Sequence, residues 1–555
     1  MALESTPMRS PAPPWQPMAF ALVLLIGVLI GKTQTGQRDV AYNGTSERGR
    51  VVHILDRIER LYVDEVERDV LETIAVEAIL DELDPHSMFF SAEELAAMAE
   101  PMEGNFEGIG VEFIIQEDTL MVVAVIPGGP SERGGIRAGD RILSVDSVAI
   151  SGSDLTNKKV MEWLKGPRNT TVRVGLDRPE GSNEVLLRRD RIPIHSVVAS
   201  IPLNEQVGYI KVVRFAQNTA EEFEEAMRKL DRAGVGSVVI DLRGNGGGYL
   251  NAVVPMVESF LQEDQLVVYT EGEHASKRTY EARRNGPWKD WPLAVLIDES
   301  SASASEIFAG AIQDNDRGFV VGRRSFGKGL VQEEFDVAGT GALRLTVARF
   351  YTPSGRAIQK PYGGEVEYED DYLARFERGE LFHEDSIGVV DSLMYLTPGG
   401  REVFGGGGIV PDFFVPLDTA RWTAFLTDLS WTGILRDAAF GFVDANRFEL
   451  EAFATPALLT LSIQERALDH LLAEAASAGW EARGLGRAER DQIAHRFMAQ
   501  VIRNVFGEEG YHAHLAGQDP TVGKALNLLK HVSHLVVVDG RLTLPVNSTT
   551  SNENI

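Results

Sequence analysis

The sequence has no cysteine, which excludes a disulfide framework, a thiolate nucleophile, a cysteine-ligated zinc or iron–sulfur centre and a lipid anchor on cysteine. Basic residues are the minority. Lys and Arg number 54 against 82 Asp and Glu, a formal charge of -28, and such a surface repels phosphate backbones and anionic membrane faces. Nucleic acid is therefore not an expected partner. The eleven histidines include no H-E-x-x-H pattern, and the pair His512/His514 reads as standing in a glycine-flanked loop. No metal or other cofactor is expected. Neither a G-x-S-x-G elbow nor a G-D-S-G-G segment occurs, so a Ser-His-Asp protease has no motif to support it.

What is present is ordinary globular composition: 44% hydrophobic and 25% charged residues over 555 positions, a length that suggests about three or four domains. The apolar run Met18–Ile30 follows a proline-rich start and is followed by Gly31 and Lys32. At about 13 residues it is nearer a signal-peptide core than the roughly 20 of a comfortable span, yet no A-x-A-like cleavage site follows. Residues 1–35 thus read as an export signal, either an uncleaved N-terminal membrane anchor, which is favoured, or a cleaved leader.

Along the rest of the chain the hydrophobic period changes four times. Residues 36–100 show helical spacing (Leu55, Ile58, Leu61, then Ile74, Ile79, Leu83) interrupted at Asp84-Pro85, while 101–190 alternate as short strands such as Val111–Ile115 and Arg141–Val145 between glycine turns. Residues 191–418 alternate strand and helix, from Val207–Val212 and Ala220–Ala233 to Leu293–Ile297 and Ser305–Gln313, which argues an α/β layer structure. A mostly helical region follows over 419–545, then a polar tail, 546–555, expected to be disordered. The fold class is multidomain α/β with a β-rich module and flanking helical domains.

The β-rich module carries Gly108-Ile109-Gly110-Val111 at a strand start and Gly134-Gly135-Ile136-Arg137-Ala138-Gly139-Asp140 further on. Together these resemble a PDZ domain, whose glycine loop turns backbone N–H groups toward a peptide's terminal carboxylate while the adjacent strand edge accepts the peptide. Gly108, Ile109, Gly110 and Val111 are the peptide-binding candidates, and substrates are expected to be selected by their C-termini. Taken alone, Gly108 and Gly110 could also be simple turn glycines.

Three further segments stand at predicted element ends: Asp241-Leu242-Arg243-Gly244-Asn245-Gly246-Gly247-Gly248, Ser301-Ala302-Ser303-Ala304-Ser305-Glu306 and Ser325-Phe326-Gly327-Lys328-Gly329. A serine needs a base, and lysine serves if burial or a nearby cation lowers its pKa from about 10.4. On the residues alone Ser301, Ser303 and Ser305 compete, Ser303 with Glu306 is also a helix-capping pattern, and Lys328 could be solvated. His86 reads as a turn residue rather than a base, and Asp241 and Arg243 as supports of the glycine loop.

With the PDZ-like module upstream, the three segments resemble the C-terminal processing (tail-specific) peptidase family, over about Ile54 to Pro416. The resemblance implies a crotonase/Clp-protease-like α/β core, Ser303 as nucleophile, Lys328 as general base and Gln332, four residues on, holding the amine. It further implies backbone N–H groups of Ala304 and Gly247 as the oxyanion hole, although Gly246 stands where proline is usual, so which glycine N–H points inward stays open. The expected function is a serine endopeptidase of the bacterial envelope (periplasm) that cuts protein substrates near their C-termini. The alternative is a non-catalytic scaffold that binds C-terminal peptides. The helical region 419–545 could serve in docking or in a homo-oligomer, and ordinary core packing explains its pattern equally well.

Overall fold

The computed structural model describes residues 49–545, apart from positions 117, 151, 153, 179–180, 338–339, 363–367, 369, 420–422, 460 and 483. The apolar run Met18–Ile30 and the tail 546–555 lie outside the described residues. No helix among the described residues is long and apolar enough to cross a membrane. The chain divides into two units, Met1–Glu82 and Leu83–Ile555. In the first, α1 (Arg50–Leu61) and α2 (Arg68–Asp81) pack together, with Arg68 bound to Asp56, Glu59 and Glu72.

The second unit begins with β1 (Met88–Ser91) and α3 (Ala92–Glu103), the latter started by a Ser91/Glu94 capping box. The module that follows is an antiparallel sheet ordered along the chain, β2 (Val111–Gln116), β3 (Thr119–Val125), β4 (Arg141–Val145), β5 (Thr171–Asp177) and β6 (Asn183–Arg188), with α4 (Asn157–Leu164) over it. Its core is built from alternate residues, Leu120 and Val122, then Val172, Val174 and Leu176, as period-two strands with one buried face require.

Beyond it the elements are β7 (Val197–Pro202), β8 (Val207–Val212), α5 (Thr219–Arg232), β9 (Ser237–Asp241), α6 (Leu250–Glu258), β10 (Leu266–Glu271), β11 (Leu293–Ile297), α7 (Ala304–Asp314), β12 (Phe319–Gly322), β13 (Leu330–Val337), β14 (Gly341–Tyr351) and β15 (Phe413–Phe414). Strands β8, β9, β11, β12 and β15 run parallel in that order, with β7 antiparallel at the edge. The first four are buried along their whole length, and this is why they read as unbroken apolar runs rather than alternating ones. A second, antiparallel sheet joins β1 to β14, with β13 and β10 also paired to β14.

Helices α5, α6 and α7 cover one face of the parallel sheet through Phe223, Met227, Val253, Val257, Phe308 and Ile312. The C-terminal helices are α8 (Ala424–Trp431), α9 (Ile434–Leu450), α10 (Leu461–Ser477), α11 (Arg487–Ala516) and α12 (Pro520–Lys530). From Leu426 to Ile502 they hold a hydrophobic core of their own. Helix α12 instead places Val522, Ala525, Leu528 and Leu529 on the other face of the parallel sheet, against Tyr209, Val239, Leu296 and Val321, so the last helix closes the central layer structure. His512 and His514 are not in a loop, as the flanking glycines suggested. Both are in α11, which breaks at Gly507 (φ 71, ψ -168) and brings the His514 ring onto His495.

Candidate active site

The three motif segments begin at the carboxyl ends of three neighbouring parallel strands: Leu242 follows β9, Asp298 follows β11 and Arg323 follows β12. Open α/β sheets build their sites there, because the loops leaving adjacent parallel strands converge.

Three serines compete for the nucleophile on sequence, and burial separates them. Ser301 and Ser305 are fully buried, and their hydroxyls donate to the carbonyls of Leu242 (2.9 Å) and Asn245 (2.8 Å). Ser303 is half-buried and holds φ 55, ψ -111, a backbone conformation that costs energy for any residue with a Cβ and collects at functional positions. Gly247 makes it fit. With φ 101, a Cβ there would stand 2.7 Å from the Ala302 carbonyl oxygen, 2.8 Å from Ser303 Cβ and 3.0 Å from Ala304 N, so the glycine backbone lies directly against the serine.

Glu306 joins the serine segment to the lysine segment. Its carboxylate is fully buried; Oε2 accepts from Ser303 N (2.8 Å) and Lys328 N (2.9 Å), and Oε1 from Ser325 Oγ (2.5 Å) and Gly327 N (2.7 Å). Burial pushes its carboxyl up to about 7 against these four donors. The capping pattern seen in the sequence is thus real in its Glu306 half, and the same oxygen holds the Ser303 and Lys328 backbone N–H groups together.

Lys328 is held below the usual lysine range, first by burial and then by the Arg344 guanidinium, while Glu306 and Asp84 oppose the shift. Phe326, two residues before Lys328, faces Tyr368 edge-on and lies under the Lys360 ammonium, 4.0 Å from the ring centre. Gln332 does not hold the lysine amine. Its Nε2 donates to Thr346 Oγ1 (3.3 Å), its register partner on β14, where the pairing skips Val347, while Lys328 precedes the strand. Thr346 in turn donates to Asp84 Oδ1, which also accepts the N–H groups of His86 and Ser87. His86 is therefore the turn residue that the sequence suggested, and it also faces the site. Burial and then Lys328 lower its pKa to about 4, and its Nε2 is 3.1 Å from the Tyr368 hydroxyl. The sequence reading passed over Arg344, Tyr368 and Asp84, whose roles come from strand pairing; only the Asp84-Pro85 turn left a local trace.

The two backbone N–H groups that the resemblance names for an oxyanion differ in whether they are already engaged. Ala304 N–H opens α7 and has no acceptor among the described residues, as a helix start provides. Gly247 N–H is already donated to Asn245 Oδ1 (2.9 Å), whose own amide is fixed to the Val212 carbonyl. Phe215 engages the Gly247 carbonyl and the Tyr249 N–H. The Gly248 N–H between them has no acceptor among the described residues. Arg243 is bound to Asp241 and to Asp519.

In the β-rich module Gly110 has φ 76, and the Ile109 carbonyl accepts both Ser131 N (3.0 Å) and Ser131 Oγ (2.8 Å). The Ile109 and Gly110 N–H groups have no acceptor among the described residues, and β2 pairs with β3 alone, leaving an open sheet edge next to this loop.

Residues 206–369 match the model of peptidase family S41, and residues 121–178 match the PDZ domain. Carboxy-terminal processing protease CtpB of Bacillus subtilis is 31% identical over 338 residues, 59% of this chain and 70% of its own. A carboxy-terminal-processing protease of Bartonella bacilliformis is 32% identical over 346 residues, 61% of this chain and 78% of its own. A chloroplastic C-terminal processing peptidase of Tetradesmus obliquus is 33% identical over 301 residues, covering 51% and 64%.

Proposed function

Since the chain belongs to the C-terminal processing peptidases of family S41 and is a serine-type peptidase with a PDZ domain, we propose that Ser303 is its nucleophile and Lys328 its general base. The observation that carries this is the single carboxylate oxygen of Glu306 that accepts both the Ser303 and the Lys328 N–H.

The neutral amine of Lys328 takes the proton of Ser303 Oγ as that oxygen attacks the scissile carbonyl, forming a tetrahedral intermediate whose oxyanion lies on the Ala304 and Gly248 N–H groups. The resulting ammonium gives its proton to the leaving amine, and the amine then activates the water that hydrolyses the acyl-enzyme. Burial and Arg344 favour the neutral amine that the first step requires. Gln332 acts through Thr346 and Asp84, steadying the strand that follows Lys328. No cofactor takes part in these steps.

The Gly108–Val111 loop receives the substrate's C-terminal carboxylate, and the β2 edge takes the tail as an added strand. The apolar run Met18–Ile30 directs the chain to the bacterial envelope and tethers it there. The working domains are 36–100, 101–190 (PDZ-like), 191–418 (peptidase core) and 419–545. The test follows an unstructured protein with an apolar C-terminus by intact mass, using wild type, Ser303→Ala, Lys328→Ala and a tail-amidated substrate. Cleavage by wild type alone, slowed by amidation, is expected. A substrate that binds but stays whole with every form would overturn the reading.

A further inference from the structure

The glycine loop that lies against Ser303 starts at Arg243, and every polar atom of that residue is engaged. Its N–H is donated to Asp241 Oδ1 (2.9 Å), and its carbonyl accepts from Lys211 Nζ. Its guanidinium grips both oxygens of Asp241 and reaches Asp519 Oδ2 with Nη1 at 2.8 Å. Asp241 is shut in, with 2% of its side chain exposed, and also accepts the Tyr209 hydroxyl. All of these partners except one leave the parallel sheet. Asp519 comes from the C-terminal helices, 276 residues from Arg243, and is the N-cap of α12, where its Oδ1 accepts the N–H groups of Thr521 (2.8 Å) and Val522 (3.2 Å).

A cavity of about 180 Å³ lies beside this pair, with Arg243 and Asp519 among its lining. The two side chains of the pair are 20% and 22% exposed. Here the start of α12 reaches the loop through a direct, partly buried ion pair. Neutralising Asp519 therefore removes from Arg243 the carboxylate that the C-terminal helices supply.

We infer that Asp519 is a positioning residue for the peptidase reaction: through Arg243 it fixes the glycine loop against Ser303, so that the C-terminal helices help to set the oxyanion site. The inference rests on the reading of Ser303 and its glycine loop given above. A misplacement of the order of 1 Å in such a loop costs about a hundredfold in rate, and a loosened anchor a part of that.

The test uses the full chain and a substrate protein with an apolar tail, comparing wild type, Asp519→Asn, Asp519→Ser, Val522→Ala and Ser303→Ala. Asn and Ser both cap helices well, so α12 keeps its start while Arg243 loses its partner. For both we expect kcat to fall about tenfold with KM unchanged, Tm within a few degrees of wild type, and the affinity of a peptide boronic acid, which places a tetrahedral oxyanion on the serine, to fall by the same factor. Val522, on α12, is buried against the parallel sheet, so Val522→Ala should lower Tm and leave kcat unchanged. Wild-type kcat and boronate affinity in the Asp519 variants would overturn the inference, as would an equal loss of kcat in Val522→Ala. Cleavage by Ser303→Ala would instead remove the nucleophile assignment on which it rests.

Discussion

Four donors converge on the Glu306 carboxylate, and no cation pairs with it among the described residues. The donors favour the charged form and burial opposes it, leaving the group at about 7. Its pKa is raised from 4.5, so the stability it contributes is fully present below about 4.5 and is lost as pH rises through about 7. Activity runs the other way, because a protonated Glu306 no longer accepts from every donor and a protonated Lys328 cannot act as base. We expect kcat/KM to rise with pH through this range and beyond it as Lys328 deprotonates. Arg344 is the cation that helps lower Lys328, so Arg344→Gln should move the upper part of that rise to higher pH by a few tenths of a unit to about one unit. A pH–rate profile of the two proteins that superimposes would show that Arg344 has no such effect.

The motif segments lie where β9, β11 and β12 end, and the sequence revealed β9 and β11 because each is buried on both faces and reads as a continuous apolar run. The choice among Ser301, Ser303 and Ser305 was not local information. It depends on which hydroxyls the fold turns onto the Leu242 and Asn245 carbonyls. Gln332 shows a different failure: a spacing of four says which face two residues share only when both stand in one regular element, and Lys328 lies before the strand that carries Gln332. Gly247 was visible as part of a glycine run, but that its N–H is held by Asn245 and its Cα lies against Ser303 was not. Gly247→Ala joins a positive φ to an overlap with the Ala302 carbonyl and Ser303 Cβ. We expect the variant to fold with kcat reduced by about a hundredfold or more, measured as active-site labelling by a serine-directed phosphonate beside peptide cleavage. Unimpaired labelling would mean that the serine does not depend on the glycine's close approach.

Across the whole chain, the C-terminal helices engage the PDZ-like module as well as the core. Phe440 of α9 is buried against Ile114 and Met121, and Arg141 pairs with Asp444 (3.2 Å). Glu509 of α11 meanwhile meets Lys229 and the β7 edge at Ser200. Helical periodicity announced these helices but not what they hold, since their outward faces carry no motif. Truncating a buried Phe costs about 3–5 kcal/mol, and in Phe440→Ala we expect that loss at the junction with the module. Amide exchange in β2 and β3 should quicken, and KM for a tailed protein should change, while kcat on a short peptide without a binding tail stays the same. Unchanged exchange in β2 and β3 would place the module's support elsewhere.

The contacts that finish the site are far apart along the chain: Asp84 meets Thr346 across 262 residues and Arg243 meets Asp519 across 276. Pairings of such separation close late in folding, because the entropy of closing the intervening loop must be met before the contact returns anything. During synthesis Asp519 leaves the ribosome after Ser303 and Lys328. A chain made in this order presents the Ser303 and Lys328 segments well before the residue that anchors Arg243, so we expect a nascent chain that stops short of Asp519 to cut more slowly than one that includes it.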